Sequence, residues 1–150
     1  MHLDRAWIER SIPHDGRMCL LDEVISWDAR HVRCRSGTHR LPDHPLRSRG
    51  RLGIACGIEY AAQTMAVHGA LAGGPPEARP ESGFLASLRD VRPRVLRLDD
   101  LAGDLYCDAA LIAGDRSSAL YEFALSCDAK RLLSGRATVI FDAKKRLNHE

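Results

Sequence analysis

The chain has few aromatic residues and no long run of charge of either sign. Phe, Trp and Tyr make up 5% of its 150 residues and are scattered, so platforms on which nucleic-acid bases could stack are not evident. The 22 basic and 20 acidic residues are mixed along the sequence and give a formal net charge of +2. A basic tail of the kind that binds a phosphate backbone is absent, and we expect no nucleic-acid partner.

Several familiar site motifs are also missing from the sequence. The five cysteines are odd in number and include no Cys-x-x-Cys pair, which favours reduced thiols in the core of a cytoplasmic protein over a disulfide framework. His39, Asp43 and His44 do not repeat a metal-binding spacing, and we predict no metal site. The absence of a Gly-x-Ser-x-Gly elbow and of a phosphate-cradling glycine loop argues against a serine hydrolase and an NTPase.

Length and composition predict one globular domain over residues 1–150. An apolar content of 45% is enough for a single core, and the chain is short for two domains. An amphipathic segment from Leu3 to Ser11, within residues 1–12, predicts a brief helix that ends before Pro13. The last eight residues, 143–150, are polar, and we expect them to fray.

The most unusual stretch runs from Leu52 to Gly73. It consists of small and apolar residues without any Lys or Arg, and its apolar positions recur at the spacing of a mostly buried helix. Glu59 and Gln63 are four residues apart and therefore neighbours on one helix face. The stretch is long enough to span a membrane, but it is rich in Ala and Gly and carries Glu59, Gln63 and His68, so we predict no span.

Glu59 is unexpected in such a helix. Burial of a lone carboxylate costs several kcal/mol unless the group is paired or protonated. A protonatable carboxyl in an apolar slot is what general acid–base chemistry uses, so Glu59 is a candidate catalytic residue. The alternative is that Glu59 lies at a helix edge and reaches water or an arginine. Spacing alone leaves both open.

Strand patterns flank this helix on both sides. Two alternating runs precede it and four β-rich runs follow it, at 18–27, 32–39, 82–91, 105–112, 119–127 and 132–141. One long helix with two strands before it and four after it predicts an α+β hot-dog fold, an antiparallel sheet wrapped around a central helix. Such sheets pair edge to edge, so we expect at least a homodimer with the site at the interface.

Four segments also resemble the 3-hydroxyacyl-acyl-carrier-protein dehydratases of the FabA and FabZ type. Ile12 to Val24 (IPHDGRMCLLDEV) resembles their opening, and Glu59 to Gln63 (EYAAQ) their catalytic-helix signature Glu-Ala-Met-Ala-Gln. Gly83 to Arg92 (GFLASLRDVR) is similar to their third strand, and Ala102 to Asp104 (AGD) to the turn after it. Within this superfamily the chain most resembles the divergent dehydratase-like proteins of aryl-polyene and related pigment pathways.

The resemblance implies dehydration of a (3R)-hydroxyacyl thioester on acyl carrier protein to the trans-2-enoyl thioester. No cofactor is implied beyond the carrier's own phosphopantetheine arm. The reaction needs a base for the C2 proton, an acid for the leaving hydroxyl and donors for the thioester carbonyl. Glu59 matches the family's helix carboxyl and is expected to give its proton to the 3-hydroxyl. N–H groups around Gly53 and Ile54, at the helix start, are expected to bind the carbonyl, with Gln63 as a further substrate-binding residue.

The family's Gly-His-Phe-Pro loop is absent, and His44, in the sequence Asp-His-Pro-Leu, is the best substitute for its histidine. The spacing from His44 to Gly53 equals that of the family, whereas His44 precedes Glu59 by fifteen residues, one more than usual. The sequence therefore predicts His44 as the base, and the alternative is a loop histidine that hydrogen-bonds its own turn. His14 resembles a structural position, and His68 is expected to serve in helix packing or a subunit contact.

Arg47, Arg49 and Arg51 alternate, which puts all three on one side if their loop is extended. Such a rim would attract an acidic carrier protein, although an exposed arginine cluster is often only a solvated loop. Two further hypotheses remain. The chain is a catalytically weak hot-dog subunit that shares a site with an active dehydratase, or it is a hot-dog thioesterase that uses its carboxylate against the thioester carbonyl.

Overall fold

The computed structural model describes residues 3–12, 16–73 and 83–141. His14 and the segment 143–150, for which a structural role and fraying were predicted, lie outside the described residues. In this part of the chain, three single-turn 3-10 helices lie at Gly16–Met18, Thr38–Arg40 and Ile54–Cys56. The other elements, in chain order, are β1 (Leu3–Asp4), α1 (Arg5–Ser11), β2 (Glu23–Trp27), β3 (His31–Ser36), α2 (Gly57–Ala72), β4 (Gly83–Pro93), β5 (Leu105–Gly114), β6 (Ser118–Cys127) and β7 (Lys130–Phe141).

The strands form one antiparallel sheet in the order β1-β2-β3-β5-β6-β7-β4, and α2 packs on it against β3, β5 and β6. Alternate residues of β5 and β6 are buried under the helix, among them Cys107, Ala109, Phe123 and Leu125. Four of the five cysteines are buried and all five are free thiols, as predicted for core residues. The predicted hot-dog fold is confirmed, with β4 at one edge of the sheet.

The segment before β2 departs from the predicted strand. The pattern predicted a strand over residues 18–27, but it begins only at Glu23. Leu20, buried in the core, instead donates its backbone N–H to the Oε1 atom of Gln63 on α2, at 2.8 Å. The apolar pattern of residues 18–22 therefore reflects burial against a side chain of α2. It does not reflect pairing with a neighbouring strand.

Helix α2 begins later than predicted. Residues 52–54 pair with residues 96–98 instead, through an isolated bridge between Gly53 and Arg97 and hydrogen bonds on either side of it. The 16-residue helix then starts at Gly57, whose backbone approaches β6 and β7 closely. A Cβ atom there would lie 2.8 Å from Leu133 Cδ2 and 3.2 Å from Leu125 Cδ2. Among the described residues, no helix has both the length and the apolar composition needed to cross a membrane.

The Gly57→Ala variant is expected to destabilise the fold by about 1–3 kcal/mol, because the added methyl group overpacks a site between two buried leucines. Urea denaturation followed by circular dichroism measures the change. Gly69→Ala is the matched control, since a Cβ at position 69 of the same helix meets nothing within 4 Å. That variant should gain about 0.5–1 kcal/mol from helix propensity. Equal effects in both variants would contradict the close approach at Gly57.

Candidate active site

Glu59 lies in the first turn of α2, half-buried, with its carboxyl oriented by Gln63. Gln63 is fully buried, and its Nε2 donates to Glu59 Oε1 at 3.3 Å and to the Met18 carbonyl at 2.7 Å. Its Oε1 accepts the N–H of Leu20, which can only donate, and this fixes the orientation of the amide. The two side chains are neighbours, as their spacing predicted. Gln63 forms hydrogen bonds with Glu59, Met18 and Leu20. A direct contact between Gln63 and substrate stays a prediction.

His44 lies in the loop before α2 and is only 4% exposed. Its Nδ1 accepts the backbone N–H of Leu46 at 3.0 Å, which is a hydrogen bond within its own turn. Its Nε2 lies 3.0 Å from the hydroxyl of Tyr60, and the two rings stack with centroids 6.0 Å apart. The structure therefore brings His44 to the residue that follows Glu59 on the helix.

Tyr60, the residue after Glu59 on α2, is fully buried. Its hydroxyl lies 2.7 Å from Thr38 Oγ1, and burial raises the pKa of this phenol. Thr38 in turn donates to the Leu20 carbonyl at 2.8 Å, which also accepts the hydroxyl of Ser36. Sequence reasoning missed these residues because Ser36 and Thr38 read as the end of a strand. The available signal was a tyrosine next to Glu59 in a helix made mostly of small and apolar residues.

Leu20 joins the two candidate catalytic side chains through its backbone. Its carbonyl accepts Thr38, which connects to Tyr60 and His44, and its N–H donates to Gln63, which contacts Glu59. A hydrogen-bonded network thus runs from the histidine to the carboxyl within one protomer. Movement of residues 18–20 would disturb both ends of it.

A cavity of about 280 Å³ opens beside His44, between α1, the segment before β2 and the loop before α2. Arg5, Glu9 and Asp43 give it a charged lining, while Cys19 and Leu41 contribute apolar surface. Thr38 also reaches it, so the cavity meets the hydrogen-bonded network at its histidine end.

The expected carbonyl site at Gly53 and Ile54 is altered by the late helix start. The N–H of Ile54 donates to the Leu96 carbonyl at 3.0 Å and therefore does not offer the free donor that was predicted. The physical reason is the bridge that residues 52–54 form with residues 96–98 in place of a helical turn. A contact between substrate and Gly53, which is exposed, stays a prediction.

The arginine loop is not extended. Arg49 and Gly50 both have positive φ, 54° and 75°, and form a two-residue turn closed by hydrogen bonds between the flanking residues. Arg47 holds this loop together, because its guanidinium donates to the Gly50 carbonyl at 2.7 Å and to the His39 carbonyl at 3.1 Å. Arg49 and Arg51 are exposed. A carrier-protein contact remains a prediction, and the geometry suits it to these two arginines.

His68 is a buried histidine on α2. Its Nδ1 lies 2.8 Å from the Tyr121 hydroxyl, and its Nε2 donates to the Asp28 carbonyl at 3.2 Å. Burial lowers the pKa of His68 and raises that of Tyr121 to about 12. His68 joins the helix to β6 and to the turn after β2, which agrees with the packing role expected for it.

The chain is similar to one known protein family and to a number of solved structures. The sequence profile of an ApeP-like family, described as the ApeP dehydratase, matches residues 6–148. The solved dehydratase heterocomplex ApeI:P from Xenorhabdus doucetiae contains a chain that is 26% identical, with a TM-score of 0.82 over 95% of both chains. A hypothetical thioesterase with coenzyme A from Streptococcus pneumoniae TIGR4 is 11% identical, with a TM-score of 0.59 over 80% of this chain and 84% of that one. That likeness shows the fold alone. No curated protein matches the chain.

Proposed function

Because the chain belongs to the ApeP-like dehydratase family, we propose that it takes part in removing water from a 3-hydroxyacyl thioester carried on an acyl carrier protein. The resemblance predicted from the sequence motifs is confirmed by the family match over residues 6–148. The observation that carries the proposal is the half-buried carboxyl of Glu59, which accepts a hydrogen bond of 3.3 Å from the buried amide of Gln63. The pathway we propose is aryl-polyene, related pigment or fatty-acid-like biosynthesis.

In the proposed reaction, a base takes the C2 proton and the C3–O bond breaks. The electron pair of the C2–H bond becomes the second bond between C2 and C3, and the hydroxyl leaves as water after it receives a proton from Glu59. Negative charge develops on the thioester oxygen, and the exposed backbone at Gly53, just before α2, is where we propose that it is stabilised. The products are a trans-2-enoyl thioester and one water, and no cofactor is consumed.

We further propose that a second hot-dog chain completes the site by pairing with β4. Within the described residues, β4 pairs only with β7, so its outer edge is open along 11 residues. Phe84, Leu88 and Val91 are large apolar residues exposed on this strand. An open, apolar edge of this length is a template for another strand. Either a homodimer or a pair with a different dehydratase subunit fits the edge, and the structural match to a chain of the ApeI:P heterocomplex favours the latter.

The proposal is tested with a 3-hydroxyacyl group loaded on acyl carrier protein. The purified chain is incubated with it alone and together with a second hot-dog dehydratase subunit, and the acyl group is followed by mass spectrometry. We expect loss of one water and an enoyl thioester, with faster turnover in the mixture. Free acid in place of the enoyl thioester would support the thioesterase alternative instead. An unchanged substrate in both incubations would contradict the proposal.

A further inference from the structure

The proton of the His44 ring has a defined position. The backbone N–H of Leu46 points at Nδ1 from 3.0 Å, and a backbone amide only donates. Nδ1 therefore carries no proton, and the neutral ring holds its proton on Nε2. That nitrogen faces the Tyr60 hydroxyl at 3.0 Å, so the imidazole is the donor in this contact.

The hydrogen bonds of the buried hydroxyls are donated in the same order, from Tyr60 to Thr38 and from Thr38 to Leu20. Since the Tyr60 oxygen accepts from His44, its own hydrogen is directed to Thr38 Oγ1 at 2.7 Å. Thr38 passes its hydrogen to the Leu20 carbonyl at 2.8 Å, where the series ends on an atom that only accepts. The opposite tautomer of His44 would set an Nδ1–H against the Leu46 N–H. In that tautomer Nε2 would carry no hydrogen, so the Tyr60 hydroxyl would no longer receive a hydrogen bond from His44.

We propose that His44 is a positioning residue, which donates to Tyr60 and so holds its loop against α2 beside Glu59, and that it is not the group that takes the C2 proton. This inference rests on the proposed dehydration. A general base needs a lone pair that faces the substrate. In His44 one lone pair is used by Leu46, and the other nitrogen carries a proton and points at a fully buried hydroxyl. The base then comes from a second hot-dog chain that differs from this one, because a second copy would bring the same engaged His44.

The comparison of His44→Gln with His44→Ala tests this inference in the assembled dehydratase. The amide nitrogen of glutamine can replace Nε2 as the donor to Tyr60, but a carboxamide is no base. We expect kcat of the glutamine variant within about threefold of wild type, with the acid limb of its pH profile retained, and a loss of at least about tenfold for alanine. Equal losses of about a hundredfold or more in both variants would identify His44 as the base and overturn the inference.

A second measurement does not depend on turnover. Nitrogen-15 NMR of the histidine-labelled wild-type chain reports which ring nitrogen of His44 carries the proton, with His44→Gln used to assign the signal. We expect a protonated Nε2 and an unprotonated Nδ1, and the reverse result would overturn the inference. If no variant and no mixture removes water, the proposed function fails, and this spectrum still shows whether His44 is held as the donor.

The two buried His–Tyr pairs of α2 provide a matched control. Tyr60→Phe removes the acceptor of His44, whereas Tyr121→Phe removes an equivalent hydroxyl 2.8 Å from His68 on the same helix. We expect the first variant to lower kcat by about tenfold, with a changed His44 NMR signal, and the second to leave both unchanged. Equal effects on kcat would mean that the hydroxyl at position 60 serves stability alone, which would contradict a positioning role.

Discussion

The Glu59→Gln variant is expected to lose dehydration by at least about a hundredfold in kcat while keeping the wild-type fold. Glutamine has the same shape as glutamate, and its Oε1 can still accept the Nε2 hydrogen bond that Gln63 donates at 3.3 Å. It has no proton to give to the 3-hydroxyl, so only the proton transfer is removed. Turnover of the carrier-bound substrate measures the loss, and thermal unfolding checks that the fold is unchanged.

The control for Glu59→Gln is Glu122→Gln, which makes the same chemical change at an exposed carboxyl on β6. That variant should keep the wild-type rate. Near-full turnover in Glu59→Gln would remove Glu59 from the mechanism, and its contact with the buried Gln63 would then be structural. A large drop in the unfolding temperature of Glu59→Gln would also indicate a structural role for Glu59, because the lost activity would then follow from the damaged fold.

The fold could be predicted where local pattern and burial agree. In β5 and β6 alternate residues such as Cys107 and Phe123 face the helix, and this alternation is visible in the sequence. The strand predicted over the residues before β2 was wrong because Leu20 is as buried as a strand residue, while its hydrogen-bond partner is a side chain 43 positions away. The sequence pattern reports that a residue is buried but not what buries it.

The candidate site was predictable to the same limited extent. Glu59 and Gln63 follow from helix geometry, since they are four residues apart. The role of Tyr60 could not be predicted from helix geometry, because its burial depends on His44 and Thr38, which are 16 and 22 positions away. The direction of the His44 hydrogen bonds depends on one backbone contact within its turn. Local spacing had left the base and the loop histidine open as alternatives, and the contacts of the two ring nitrogens with Leu46 and Tyr60 bear on the choice.

The Leu88→Asp variant is expected to prevent assembly at β4 and thereby to abolish dehydration. Leu88 is 39% exposed near the middle of the open strand, so a second chain paired there would cover it. An aspartate buried in that interface without a partner would cost several kcal/mol, whereas in the separate chain it stays in water. Analytical ultracentrifugation measures the assembly, and circular dichroism shows that the separate chain remains folded.

Ile25→Asp is the matched control for Leu88→Asp, since Ile25 is 47% exposed on β2, toward the opposite end of the sheet. It should leave assembly and turnover unchanged, and dissociation by this variant in place of Leu88→Asp would move the interface to the other edge. The activity of a dissociated Leu88→Asp chain carries a further consequence. If a single chain still removes water, both proton-transfer groups belong to it, which would contradict a base supplied by a second chain. If it does not, while the assembled wild-type protein does, the site requires the chain that pairs with β4.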